Sequence, residues 1–203
     1  MTALVIPTHA TVVNGPMQGH WAYDDWLTLP DDGNRYEIIE GVLYLTTAPS
    51  FFHQWIVRRL DRFIGVPAEQ QSLAFASVAP VGLLMPGCDP VQPDFVVVLA
   101  ARARIIHDRR IMGVPDLIVE VISPSSIAYD ERVKLAAYAA AGVPEYATID
   151  PRSRTLNLYR LEVPGRYASP QLFNETDTLH FACLPTIPLL MSDLFAQSPD
   201  TTL

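Results

Sequence analysis

The chain is poor in cysteine, in lysine and in long apolar runs, and each shortage narrows what it can be. Its two cysteines, Cys88 and Cys183, have no CxxC spacing and no histidine at zinc-ligand distance, which argues against a disulfide framework and a structural zinc site. No apolar run approaches the roughly 20 residues of a transmembrane helix, so no membrane partner is expected. The short apolar stretch 3–6 lacks a basic flank and is stopped by Pro7; it does not read as a signal peptide, and a cytoplasmic location is the expectation. Positive charge is scarce as well. Fourteen Lys and Arg against 22 Asp and Glu give a net charge of −8, and a uniformly acidic surface opposes generic binding to nucleic-acid phosphates. Any such function must rest on a local site.

Within the small basic set, Lys134 is the only lysine; the other 13 residues are arginine. Where charge alone is wanted this sequence uses Arg, whereas a compact ammonium with a movable pKa does a different job near a reacting phosphate. Chance is the competing reading of a single residue. The remaining composition, 49% hydrophobic and 18% charged over 203 residues, is that of an ordinary globular protein with one substantial core. The expected organisation is a loose N-terminal arm (1–19), a single domain (20–196) and a short tail (197–203). No internal repeat or low-complexity segment interrupts it.

Periodicity places the elements. A short helix is expected over 20–29, ended by Pro30, and a hairpin over 35–45 about the Glu40-Gly41 turn. Phe52, Ile56, Leu60 and Phe63 at helical spacing predict an amphipathic helix over 50–64, closed by Gly65 and Pro67. One or two strands fall in 73–84, buried strands in 95–99 and 116–122, a helix over 127–141 capped by Gly142, and further strands over 145–150 and 155–161. The tail from 167 to 195 carries weaker strand signals and a short final helix.

Two acidic residues lie where such strands would otherwise prefer none. Asp94 opens Phe95-Val96-Val97-Val98-Leu99, and Glu120 sits inside Leu117-Ile118-Val119-Glu120-Val121-Ile122. Side chains alternate along a strand, so Glu120 shares a face with Asp116, Ile118 and Ile122. A carboxylate there costs several kcal/mol unless it is paired, hydrogen-bonded or metal-bound. If the two strands are neighbours, Asp94 and Glu120 can converge on one hard cation of the Mg²⁺ type; the alternative is a strand-end Asp and a Glu paired with an arginine. Asp116 should lie about 13 Å from Glu120 along the strand and is not assigned to the site. On the following helix, Lys134 either points back towards the carboxylates, where it would stabilise charge on a phosphate, or forms a solvent-exposed pair with Asp130.

These residues carry a resemblance. Arg35-Tyr36-Glu37-Ile38-Ile39-Glu40-Gly41, His53, Gln92-Pro93-Asp94, the run from Gly113 to Ser126 and the segment from Lys134 to Asp150 closely resemble the Uma-type family, grouped with the restriction endonucleases of the PD-(D/E)XK superfamily. The resemblance spans about residues 20 to 195. It implies an α/β (α+β) fold with a restriction-endonuclease-like core: a mixed central sheet flanked by helices, with an added N-terminal β-hairpin. It also implies Asp94 and Glu120 as metal ligands and catalytic residues. The superfamily lysine, expected two residues after the acid, is replaced there by Ile122, so Lys134 becomes its migrated substitute and the third catalytic residue. Glu37 and His53 match family positions bordering the site, as ligands of a second metal or as residues positioning water. Their bland alternatives are a hairpin surface residue and a hydrogen-bonded core histidine.

The function expected from this set is a Mg²⁺-dependent endonuclease, with Mn²⁺ as a substitute, cutting DNA as a homodimer. The arginines at 58, 59, 62, 102, 104, 109 and 110 would supply a local basic surface. Two other classes use the same chain: a non-catalytic binding or assembly module retaining the fold, and a metal-dependent hydrolase of another phosphate ester. Clustering of those arginines around Asp94 favours the nuclease, and their dispersal favours the module.

Overall fold

A computed structural model describes residues 13–32, 34–46, 48–123 and 126–198. Most of the predicted arm, the last residues of the predicted tail, and Pro124-Ser125 of the loop after Glu120 lie outside the described residues. In chain order the elements are α1 (Tyr23–Trp26), β1 (Arg35–Ile39), β2 (Val42–Thr46), α2 (Phe51–Leu60), α3 (Val66–Gln70), β3 (Ala74–Val78), β4 (Gly82–Met85), β5 (Cys88–Val91) and β6 (Phe95–Leu99). They continue with β7 (Ile106–His107), β8 (Arg110–Met112), β9 (Leu117–Val121), α4 (Leu135–Ala141), β10 (Glu145–Asp150) and β11 (Thr155–Val163). The chain closes with β12 (Arg166–Tyr167), β13 (Gln171–Phe173), β14 (Thr178–His180), β15 (Pro188–Leu190) and α5 (Met191–Phe195).

The strands form two large sheets and one small one. A mixed seven-stranded sheet runs β12-β11-β10-β9-β6-β3, with β13 also paired to β11, and its β9–β10 pair is parallel. A six-stranded sheet runs β2-β1-β5-β4-β8-β7, and β14–β15 make a separate pair. The β9 sequence explains how the larger sheet is buried on both faces. Leu117, Val119 and Val121 pack with Ile56, Leu60 and Ile64 of the α2 segment and with Leu194 of α5. The opposite face presents Ile118, which joins Tyr138 of α4 and Leu83 and Ile111 of the second sheet. Glu120 belongs to this second face by the alternation of the strand.

One helix boundary needs correction, and other expectations gain detail. The helix starting at Ser50, whose side chain caps His53 N at 3.2 Å, does not stop at Gly65. It passes through a π turn (Asp61–Gly65) into α3, with Val66 N donating to Asp61 O. Pro67 follows directly on the π turn, where the regular i→i−4 ladder is already interrupted, which is where a residue without an N–H fits a continuing helix. Gly65 serves packing: a Cβ there would lie 2.6 Å from Asp61 Oδ1 and 3.0 Å from the Ala76 methyl. The stretch 73–84 splits between sheets, β3 pairing with β6 and β4 with β5 and β8. The hairpin is joined to a sheet, since Ile39 of β1 pairs with Cys88 of β5. Its turn, Glu40 and Gly41, has both residues at positive φ, as a two-residue hairpin turn requires. Of the arm, Gln18 is tied down by two hydrogen bonds to the Leu43 backbone, at 2.7 and 3.2 Å. No helix among the described residues is long and apolar enough to cross a membrane.

Candidate active site

The antiparallel register of β6 and β9 pairs Phe95 with Val119 and Val96 with Ile118. One step further brings Asp94 opposite Glu120, and the side chains confirm the meeting. Asp94 N donates to Glu120 Oε2 at 3.2 Å, and Val121 N donates to Asp94 Oδ2 at 3.0 Å. Both residues are almost fully buried, at 4% and 2% exposure. Among the described residues the ion pair of Glu120 is with a lysine, where the alternative reading supposed an arginine.

Lys134 lies at the end of a π turn (Tyr129–Lys134) that leads into α4, an irregularity common at functional sites. Its ammonium is inside the protein. Nζ is 2.8 Å from Glu120 Oε1, 3.3 Å from Glu37 Oε2 and 3.7 Å from Asp130 Oδ1. The solvent-exposed Asp130–Lys134 pair is thereby excluded, since both residues are buried. Glu37 is buried rather than on the hairpin surface: its Oε1 accepts from Gln92 N at 2.6 Å and its Oε2 from Tyr129 OH at 2.9 Å. His53 Nε2 stands 3.0 Å from Asp94 Oδ2, while its Nδ1 is buried without a hydrogen-bond partner among the described residues. All five sequence candidates, Glu37, His53, Asp94, Glu120 and Lys134, line one cleft of about 360 Å³.

Residues that sequence reasoning left out complete the arrangement. Arg35 donates to Asp94 Oδ1 at 3.0 Å. Tyr138 OH donates to Glu120 Oε1 at 3.0 Å, beside the lysine. Arg35 was visible only as part of a motif, and Tyr138 only as a core aromatic on the helix carrying Lys134; nothing local marked either for the site. Asp116 lies at the other end of β9, where it accepts from Leu99 N at 2.8 Å and Arg102 at 2.6 Å. The expected basic surface is absent from the cleft. None of Arg58, Arg59, Arg62, Arg102, Arg104, Arg109 and Arg110 lines it. Arg59, for instance, donates to Asp193 O, and Arg110 stacks on the Tyr23 ring.

The electrostatics set the two central carboxylates apart. Burial opposes ionisation of Asp94, but the His53 and Arg35 contacts, with Lys134 behind them, hold its pKa below the usual carboxylate range. Burial pushes Glu120 well up, with Asp94, Asp130 and Glu37 adding to the effect and Lys134 opposing it. Asp130 is raised to about 6, chiefly by burial. Burial alone would lower Lys134, yet the surrounding carboxylates outweigh it and keep the ammonium charged. Two carboxylates with pKa values driven in opposite directions in one cleft form an arrangement suited to chemistry.

The donor set fits a hard cation held in the open. Among the described residues no group of three or more His, Cys, Asp or Glu is arranged to hold a metal ion, so a closed protein cage is not provided. Mg²⁺ asks for less: one or two carboxylates, with water and substrate phosphate completing the shell. Glu120 Oε2 accepts only the long bond from Asp94 N among the described residues.

Comparison with known proteins gives a family and a fold. The family model described as "Uma2: Putative restriction endonuclease" matches residues 23–192. A search of curated proteins finds no match. Among solved structures, the chain is similar to a crystal structure titled as a "putative nuclease belonging to DUF820" from Anabaena variabilis. That pair has a TM-score of 0.72 and 20% sequence identity, covering 86% of this chain and 97% of that one. At this identity the likeness establishes the fold.

Proposed function

We propose, from the premise that this chain belongs to the Uma2 family of restriction-endonuclease-like proteins, that it is a metal-dependent endonuclease hydrolysing DNA phosphodiester bonds. The observation that carries the reading is the meeting of Asp94 and Glu120 across β6 and β9, with Lys134 Nζ 2.8 Å from Glu120. Asp94 and Glu120 would hold Mg²⁺, or Mn²⁺ in its place. Such an ion, when bound, polarises the phosphate and lowers the pKa of an attacking water.

The chain's own groups prepare that chemistry. Arg35 and His53 grip the two oxygens of Asp94 and keep it ionised at one orientation. The Lys134 ammonium faces the same cleft and can stabilise negative charge developing on phosphoryl oxygens. Tyr138 shares Glu120 Oε1 with the lysine and fixes the carboxylate's rotation. Glu37, already holding Gln92 N and Tyr129 OH, acts as a fixed counter-charge to Lys134. DNA as the substrate rests on the family, because a fold can host several activities. A homodimer, with a site for each strand of a duplex, belongs to the same proposal.

A second reading, a non-catalytic binding or assembly module, is favoured by one observation: none of the seven arginines expected to form a basic surface lines the cleft. One experiment separates the two. Single- and double-stranded DNA are incubated at low salt with Mg²⁺ or Mn²⁺ and wild-type protein, Glu120→Ala or Lys134→Ala, each variant first shown to be folded. The nuclease reading expects cutting by wild type that both variants lose. Absence of cutting by wild type, together with no metal binding by calorimetry, would overturn it in favour of the module.

A further inference from the structure

Besides His53, three basic side chains line the cleft: Arg35, Lys134 and Arg152. Arg35 is committed to Asp94, and Lys134 to Glu120 and Glu37. Arg152 differs. It is exposed, and among the described residues its guanidinium has no carboxylate or carbonyl partner.

Its backbone is nevertheless fixed. Asp150 ends β10 and turns its carboxylate into the β10–β11 turn, Oδ1 accepting from Arg152 N at 2.8 Å and Oδ2 from Ser153 Oγ at 2.9 Å. Such a side-chain-closed turn holds the chain in one course, and it engages both oxygens of the acid nearest to Arg152 in sequence. The turn's other arginine, Arg154, is bound to Glu175 at 2.7 Å. β10 runs parallel to β9 with Thr148 opposite Glu120. Asp150 therefore lies about 7 Å beyond Glu120 at the usual strand rise, with Arg152 further out at the mouth.

The cleft is lined by five carboxylates, Glu37, Asp94, Glu120, Asp130 and Asp150, the last already engaged by the β10–β11 turn, in a chain of net charge −8. A polyanion entering it must be met by a cation that is not already neutralised. We infer that Arg152 is a substrate-binding residue that holds a nucleic-acid backbone phosphate neighbouring the scissile one on the same strand. The inference rests on the nuclease reading. A guanidinium suits a phosphate because its planar fork can present two N–H groups at once. A backbone contact of this kind carries no base information and acts on all sequences alike.

The test uses the full chain, a short fluorescein-labelled DNA oligonucleotide and a series of salt concentrations, with cleavage followed in parallel. Arg152→Ala should weaken binding about tenfold, the low end for a charge-assisted contact at an exposed site. It should also reduce the slope of log affinity against log salt by about 0.7 to 0.9, and raise KM more than it lowers kcat. Arg152→Lys should recover most of the slope, and Arg154→Ala should alter neither quantity. If wild type binds and cuts while Arg152→Ala matches it in affinity and slope, the inference is overturned and the nuclease reading stands. If wild type neither binds nor cuts the oligonucleotide with Mg²⁺ or Mn²⁺, the nuclease reading falls and this inference falls with it.

Discussion

Replacing Lys134 by methionine removes the one ammonium in the chain while nearly conserving volume, so the change probes charge rather than packing. In the wild type Nζ lies 2.8 Å from Glu120, 3.3 Å from Glu37 and 3.7 Å from Asp130. Each contact is worth about 5 kcal/mol of gross attraction at an effective dielectric of about 20. Desolvation of the four groups offsets most of that sum. What the substitution exposes is the cost of buried carboxylates left without their cation, about 3–5 kcal/mol. For a domain of this size that corresponds to a fall in melting temperature of about 6–20 °C. The loss should depend on pH with a definite sign. Lys134 holds down the pKa of both Glu120 and Asp130, which burial already raises; without it they rise further. The folded variant then binds more protons than its unfolded chain, so its stability falls as pH rises and is restored on acidification. Urea denaturation of both proteins at pH 8 and pH 5 measures this. A variant as stable as wild type at pH 8, or a deficit that does not shrink at pH 5, would refute the argument.

The wild type should show a smaller effect of the same kind through Asp130. Its folded pKa of about 6 against an ordinary 3.8 means that Asp130 by itself lowers stability by about 3 kcal/mol as pH rises from about 4 to 6 and adds nothing above that, while Glu120, also raised, contributes a loss of the same sign. Asp130→Asn should make that slope shallower in denaturation curves, leaving the part that Glu120 contributes, and an unaltered slope would assign it elsewhere. Divalent-metal binding should release protons, because Glu120 is raised and must ionise to act as a ligand. Calorimetry with Mn²⁺ should give tighter binding at pH 8 than at pH 6, with heats that depend on the buffer, and pH-independent affinity would remove Glu120 from the ligand set.

Much of this site was legible along the chain. Glu120 stood out because a carboxylate interrupts an apolar strand, and Asp94 because it opens another. Lys134 stood out because it has no equal in the composition. The family pattern added Glu37 and His53. Arg35, Tyr138 and Arg152 were not marked, because an arginine beginning a hairpin, a tyrosine on an amphipathic helix and an arginine in a turn are ordinary locally. The expected grouping of arginines failed for a related reason: sequence shows how many cations there are, while their partners, such as Asp116 for Arg102, come from distant positions. The same limit hid the division of 73–84 between two sheets, since β3 and β4 have equally suitable apolar strand sequences.

The sequence by itself determined which residues could not be bland. The two-residue period of a strand follows from backbone geometry and chirality, so it set the face on which Glu120 lies with Ile118 without reference to any neighbour. Only the tertiary structure decided that Asp94 stands opposite Glu120, that Lys134 turns inward to Glu120, Glu37 and Asp130, and that Arg152 lines the cleft with no side-chain partner among the described residues. Strand register and the burial of charge are sums over contacts between distant segments. No local period encodes them, and they exist only once the chain has closed on itself.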